Sequence, residues 1–205
     1  MFSNFTAFIA LLLITMPAQA IMTVQESAEI TPQGNYKIGI EPQVITSTGG
    51  GFNTTGFFDA PINEQASYRI HLGTGDTDVY AGGSVKWVPF PDFDSQPAVG
   101  GKLSMILGNQ NDLSLFVVRA EPIVSKKMET IIGLFIPYAA LPINFVKIDG
   151  HSETGIQLAG GTEFIYNELE NVTFGVELGL DVKDSFSYIS GFATIYLDEG
   201  ALKAQ

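Results

Sequence analysis

Cysteine is absent from all 205 residues, which excludes a disulfide scaffold, a thiolate metal site and a cysteine nucleophile. Cationic residues are scarce, with 10 Lys and Arg against 22 Asp and Glu and a net charge of −12. A phosphate backbone is repelled by such a chain, so no nucleic-acid partner is expected. Charge of either sign is thin, at 16%, where soluble domains carry about 25%. No stretch after the N-terminal region offers eighteen unbroken apolar residues, so no helix long enough to cross a bilayer is expected. Phosphate-cradling loops are also lacking. The runs Gly49-Gly-Gly51 and Gly73-x-Gly75 lead into strands, not into helix N-termini.

At the N-terminus an apolar core, Phe8-Ile-Ala-Leu-Leu-Leu-Ile14, is followed by Pro17 and the small-x-small ending Ala18-Gln-Ala20. It is too short to span a membrane and has the form of a secretory signal peptide, although no Lys or Arg precedes it. The organisation expected is a cleaved signal peptide at 1–20, an N-terminal periplasmic segment at 21–34, a body at 35–197 and a polar tail at 198–205.

What the chain does have is period two. In Val172–Val182, residues Val172, Phe174, Val176, Leu178, Leu180 and Val182 alternate with Thr173, Gly175, Glu177, Gly179 and Asp181. Successive side chains of a strand leave on opposite faces, so one face is apolar and the other small or charged. Tyr36, Ile38 and Ile40 repeat the theme, as do Tyr68, Ile70 and Leu72; Val79 through Trp87; and Val99, Leu103, Met105 and Leu107. Less regular strands are expected near 51–59, 112–124, 128–138, 153–166 and 186–197. Gly-, Asn-, Asp- and Pro-rich turns separate them. The fold class is all-β, antiparallel and about ten-stranded. If 139–150 is a strand and not a long loop, 23–31 supplies a twelfth.

The polar faces carry Gly and Ser more than Lys and Glu (Gly82-x-Ser84, Gly175-x-x-x-Gly179), as a crowded barrel interior favours. The apolar faces end in Tyr36, Tyr68, Trp87 and Phe174, rings suited to a bilayer interface. Strands of about ten residues fit a tilted crossing, and a bilayer leaves no edge unpaired. This pattern resembles small Gram-negative outer-membrane β-barrel proteins over nearly all of 35–197. The resemblance implies a closed up-and-down transmembrane barrel in the cell outer membrane, with outer-membrane lipid and the barrel-assembly machinery as partners. In the last strand Gly191, Phe192 and Tyr196 match the assembly signal such proteins use, but a polar tail follows where an aromatic usually ends the chain.

By parity the lumen receives Lys37, Glu41 and Glu121, a basic wall of Arg69, His71, Lys86, Lys102 and Arg119, and an acidic wall of Glu163, Glu177 and Asp181. Opposed walls create a transverse field that suits small polar solutes, a porin-like device. Equally, the charges can meet across a narrow interior and plug it, since about eight strands leave room only for side chains and channels need sixteen or more. The expected function is thus a structural barrel or minor porin-like channel. A secreted soluble β-sandwich adhesin is the alternative, and a rim enzyme using His151-Ser-Glu153 a second. No enzymatic activity, cofactor or metal is expected: Asp76, Asp78, Asp92 and Asp94 sit in turns, where carboxylates accept local hydrogen bonds. An even strand number puts both termini in the periplasm and the connection 139–152, the longest, outside.

Overall fold

Alternating faces pair into one sheet that closes on itself. The computed structural model describes residues 23–47, 49–110, 113–169 and 171–198. The signal peptide expected at 1–20 and all but the first residue of the 198–205 tail lie outside the described residues. The strands are β1 (Asn35–Ile45), β2 (Gly51–Asn63), β3 (Ala66–Gly75), β4 (Val79–Phe90), β5 (Ala98–Gln110), β6 (Leu113–Ser125), β7 (Met128–Thr130), β8 (Gly133–Ala140), β9 (Ile143–Ile148), β10 (His151–Tyr166), β11 (Val172–Lys183) and β12 (Tyr188–Asp198). Each long strand pairs antiparallel with the next, and β12 returns to β1 from Asn35↔Asp198 to Ile45↔Tyr188. Among the described residues no second sheet faces the first, so the sandwich alternative falls.

The barrel has ten wall positions, because β8 and β9 share one. Both lie between β6 and β10, β8 beside Ile123–Ser125 and β9 beside Leu115–Ala120. They part only where Pro142 lacks an N–H. The ladder bridges the gap: Leu141 N–H donates to the Pro122 carbonyl (3.1 Å) and Gln157 N–H to the Pro142 carbonyl (3.0 Å). The expectation of a long outer loop at 139–152 is therefore corrected. Its real turn is two residues, Asp149-Gly150, with φ of 43° and 86° joining the pair Ile148↔His151. Two consecutive positive φ values match the right-handed twist of a hairpin, and Asp-Gly tolerates them. The longer connections, 91–97 and the 126–132 hairpin that carries β7, lie at the end bearing both termini.

Side chains sort by parity. Val176, Leu178, Leu180 and Val182 are 55–60% exposed and join an unpartnered apolar belt with Ile70, Leu72, Val85, Leu103, Met105 and Leu107. Most outward rings gather at the end with the termini, while Phe52, by the other rim, and Phe145 are exposed as well. Tyr36 stacks on Phe58 (centroids 5.7 Å apart), Phe135 packs on Phe164 (4.5 Å), and Trp87 and Phe90 stand free.

Inside, each of six rings lies over a glycine directly across the ladder: Phe57 on Gly39, Tyr80 on Gly73, His71 on Gly82, Tyr138 on Gly161, Phe192 on Gly175 and Tyr188 on Gly179. The missing Cβ is what lets an aromatic lie flat on a curved wall. A Cβ at residue 179 would stand 1.9 Å from Tyr188 Cε1. Gly179→Ala is thus expected to destabilise the barrel by about 1–3 kcal/mol, the usual cost of overpacking. Gly191→Ala faces outward, with its nearest neighbour at 3.7 Å, and should stay within about 0.5 kcal/mol. Denaturant unfolding in detergent compares the two.

Candidate functional site in the barrel lumen

The lumen is filled in two halves. Away from the termini, Ile45, Tyr80, Ile106, Leu115, Val117, Val146, Phe186 and Tyr188 form a buried apolar cluster. Towards the termini, the space is taken by residues 23–31, which precede β1. Although 139–150 is largely strand, 23–31 supplies no twelfth strand, and this strap lies inside the barrel where 21–34 was expected as a periplasmic segment. Val24, Ala28 and Ser27 are 0–2% exposed, and Glu26 is 5% exposed. A tight turn aims it inward: Asn35 N–H donates to the Pro32 carbonyl at 3.1 Å, with Gly34 at φ 82°, as the third position of a type II turn requires.

The two walls hold the strap from opposite sides. On the acidic wall, Glu177 (β11) accepts the N–H groups of Val24 (2.7 Å) and Gln25 (2.9 Å), and Glu163 (β10) accepts that of Ser27 (2.5 Å). A left-handed Gln25, φ 61°, turns the two consecutive N–H groups onto one carboxylate. Glu177 also receives the hydroxyls of Tyr138 (2.6 Å) and Tyr188. On the basic wall, Arg119 (β6) donates to the Thr23 carbonyl (2.9 Å), Lys102 (β5) to that of Val24 (2.6 Å), and Lys86 (β4) to those of Ser27 and Glu29 (3.0 and 2.5 Å). At the centre, the Glu26 carboxylate meets Lys86 at 2.7 Å, Lys102 at 3.1 Å and Arg69 at 3.7 Å.

Most of the residues singled out by parity come together here. Arg69 also makes a bidentate pair with Asp59 (2.6 and 2.7 Å) and lies over the Phe57 ring. Lys102 and Arg119 share Glu121. Glu41 accepts the Thr23 hydroxyl at 2.9 Å, and Lys37 sits over the Tyr196 ring. His71 lines a small, partly open cavity of about 20 Å³ with the strap residues Thr23 and Gln25 and with Arg69, Lys102 and Arg119, room for about one water. Asp181 is not in the lumen: it is exposed at the rim, where it accepts Ser185 N–H (3.1 Å). Two acids that the sequence reading did not single out, Glu26 and Asp59, complete the cluster. The walls themselves carried a usable signal, since a row of cations facing a row of carboxylates is what a peptide's carbonyl and N–H groups require.

Outside the lumen, His151, Ser152 and Glu153 are all exposed in β10. Alternation turns Ser152 away from the other two, so the three do not converge. Asp76 accepts Phe52 N–H in its turn. Asp92 receives Lys126 Nζ (2.6 Å) and Lys127 N–H (2.7 Å), tying loop 91–97 to the next connection. Among the described residues no three His, Asp or Glu side chains gather as metal ligands. Burial works against the charged form of Asp92, but the Lys126 ammonium and Lys127 N–H outweigh it and hold its carboxyl below the usual range. A lowered carboxyl pKa stabilises the tie above the free value, about 3.9, and the tie is lost as pH falls through the native value. The protection factor of the Lys127 N–H, its exchange measured against free peptide at the same pH, should therefore fall on acidification in the wild type and show no such step in Asp92→Asn.

No protein-family model matches the chain, and no curated protein matches it in sequence. Among solved structures, the translocator domain of autotransporter NalP from Neisseria meningitidis is similar over 82% of this chain and 90% of that one, with a TM-score of 0.51 and 11% identity. LpxR from Salmonella typhimurium covers 84% of this chain and 78% of its own (TM-score 0.43, 11% identity). A de novo designed transmembrane β-barrel covers 82% and 99% (TM-score 0.42, 12% identity). At such identities the NalP likeness is one of fold: a closed transmembrane-type β-barrel.

Proposed function

We propose that the protein is an outer-membrane β-barrel of a Gram-negative bacterium, exported through a cleaved signal peptide and sealed in its resting state: a structural barrel and not a standing pore. Its apolar belt faces acyl chains, its one-sided collar of rings sits at a headgroup level, and both termini face the periplasm. Assembly passes through the barrel-assembly machinery, with no nucleic-acid partner. The observation that carries the sealed reading is the pairing of Glu26 with Lys86, Lys102 and Arg69, above an apolar cluster that closes the other half. A small-solute channel would need both closures to give way.

Two measurements test this reading. In a planar bilayer the wild-type protein is expected to give no steady conductance; regular open steps would restore the porin-like reading. For the membrane itself, Leu178→Arg places a cation in the middle of the belt, where Leu178 is 55% exposed. The expected cost is about 2–4 kcal/mol if the site lies near the bilayer midplane, read as loss of heat-modifiable protein from the outer-membrane fraction. In a water-soluble barrel an exposed leucine tolerates that change, so an undiminished yield would refute the assignment.

A further inference from the structure

The strap is bound chiefly by its main chain. Val24, Gln25 and Ser27 give their N–H groups to two carboxylates, and Ala28 gives its own to Ser125 Oγ at 3.1 Å. Four carbonyls go to Arg119, Lys102 and Lys86. Every peptide carries these groups. The strap's own chemistry enters through the Glu26 carboxylate on three cations, through Gln25 Oε1 on Arg69 (3.0 Å), through the Thr23 hydroxyl on Glu41 (2.9 Å) and, at the mouth, through Glu29 on Lys127. The site is also blind. It opens at the end bearing the termini and is floored by the apolar cluster of Tyr80, Leu115, Phe186 and Tyr188. Such a chamber can hold a ligand but cannot pass one.

We infer that the lumen is a peptide-binding cup, with the strap as a tethered resident in it. Its ligand class is a short peptide segment with one acidic side chain, reaching in from the side of the chain termini. The strap is then autoinhibitory: a tether of this length keeps it at an effective concentration on the order of millimolar, and a free ligand competes only when the strap is out. The weak point is at the mouth. There Glu29 pairs with Lys127 at 2.6 Å, with side chains 18% and 45% exposed, and exposed pairs contribute little. The inference rests on the sealed lumen but not on which membrane holds the barrel, and conductance tests the seal separately.

The experiment uses the full chain in detergent and a fluorescent synthetic peptide copied from residues 23–31. In Glu26→Lys the strap is repelled and the cup vacated. That variant should bind the peptide saturably and one to one, at least tenfold more weakly when the peptide carries Glu26→Gln. The wild type should bind none at the same concentrations. Absence of binding by a variant that still shows heat-modifiable migration overturns the inference, as does equal binding by variant and wild type, which would put the peptide on the outer surface. Should Glu26→Lys fail to fold, full-length Glu26→Gln keeps the strap's main-chain contacts. Excess peptide should then speed hydrogen exchange at the Val24 and Ser27 amides, and unchanged exchange overturns the inference.

Discussion

Glu26→Lys is expected to expel the strap from the barrel. The carboxylate it removes is shared by Lys86, Lys102 and Arg69, all with side chains no more than 6% exposed, and a fourth cation would take its place. Breaking a buried ion pair by removing one partner costs about 3–5 kcal/mol, because the remaining charge has lost both water and partner. At about 1.4 kcal/mol per decade, that lowers the seating equilibrium constant by a factor of about a hundred to a few thousand. The amides of Val24, Gln25, Ser27 and Ala28 report this directly, because their acceptors lie on the wall. Their exchange should rise to nearly that of free peptide while the amides of β1 stay protected. Retained protection at all four would mean that main-chain contacts alone seat the strap. Conductance should stay absent, since Tyr80, Ile106, Leu115 and Tyr188 close the other half.

Glu177→Ala strikes the opposite wall and should be comparably severe. One carboxylate there takes two strap N–H groups and two tyrosine hydroxyls, and its residue is 1% exposed. Each buried donor left without an acceptor costs about 1–3 kcal/mol, so even with relaxation a total loss of about 3–5 kcal/mol is expected. Glu177→Gln should fall between the two, since its amide oxygen still accepts while its nitrogen faces donors. Thermal unfolding in detergent, followed by gel migration, ranks wild type, Glu177→Gln and Glu177→Ala in that order. A barrel that tolerates Glu177→Ala would show that Tyr138 and Tyr188 find other acceptors.

Parity along the strands was legible because a period of two leaves no freedom: once Val172, Phe174 and Val176 face outward, Thr173, Gly175 and Glu177 must face inward. The same logic turns Arg69, Lys86, Lys102 and Arg119 inward, and all four are buried. It failed for Asp181, because β11 outlasts the lumen and its last turn-facing residues stand in the open. Whether 139–150 is loop or strand stayed open in the sequence, whereas in the fold the N–H that Pro142 lacks costs the sheet little, because flanking residues bridge to Pro122 and Gln157. Asp59 went unmarked because Ala60-Pro61 blurs the alternation at the end of β2. The strap was the least readable part. Residues 23–31 show no period, and their partners are single side chains as far as 153 positions along the chain.

That separation in sequence fixes an order of events. The strap comes before β1 and leaves the ribosome ahead of every strand, yet its binding groups are spread over β1, β3, β4, β5, β6, β10 and β11. None of these is in place until the wall has formed, and the last of them arrives only with the penultimate strand. Until then Lys86, Lys102 and Arg69 must keep their water. Insertion and drying of the interior are consequently two steps, and a piece made before any strand is the one that completes the second.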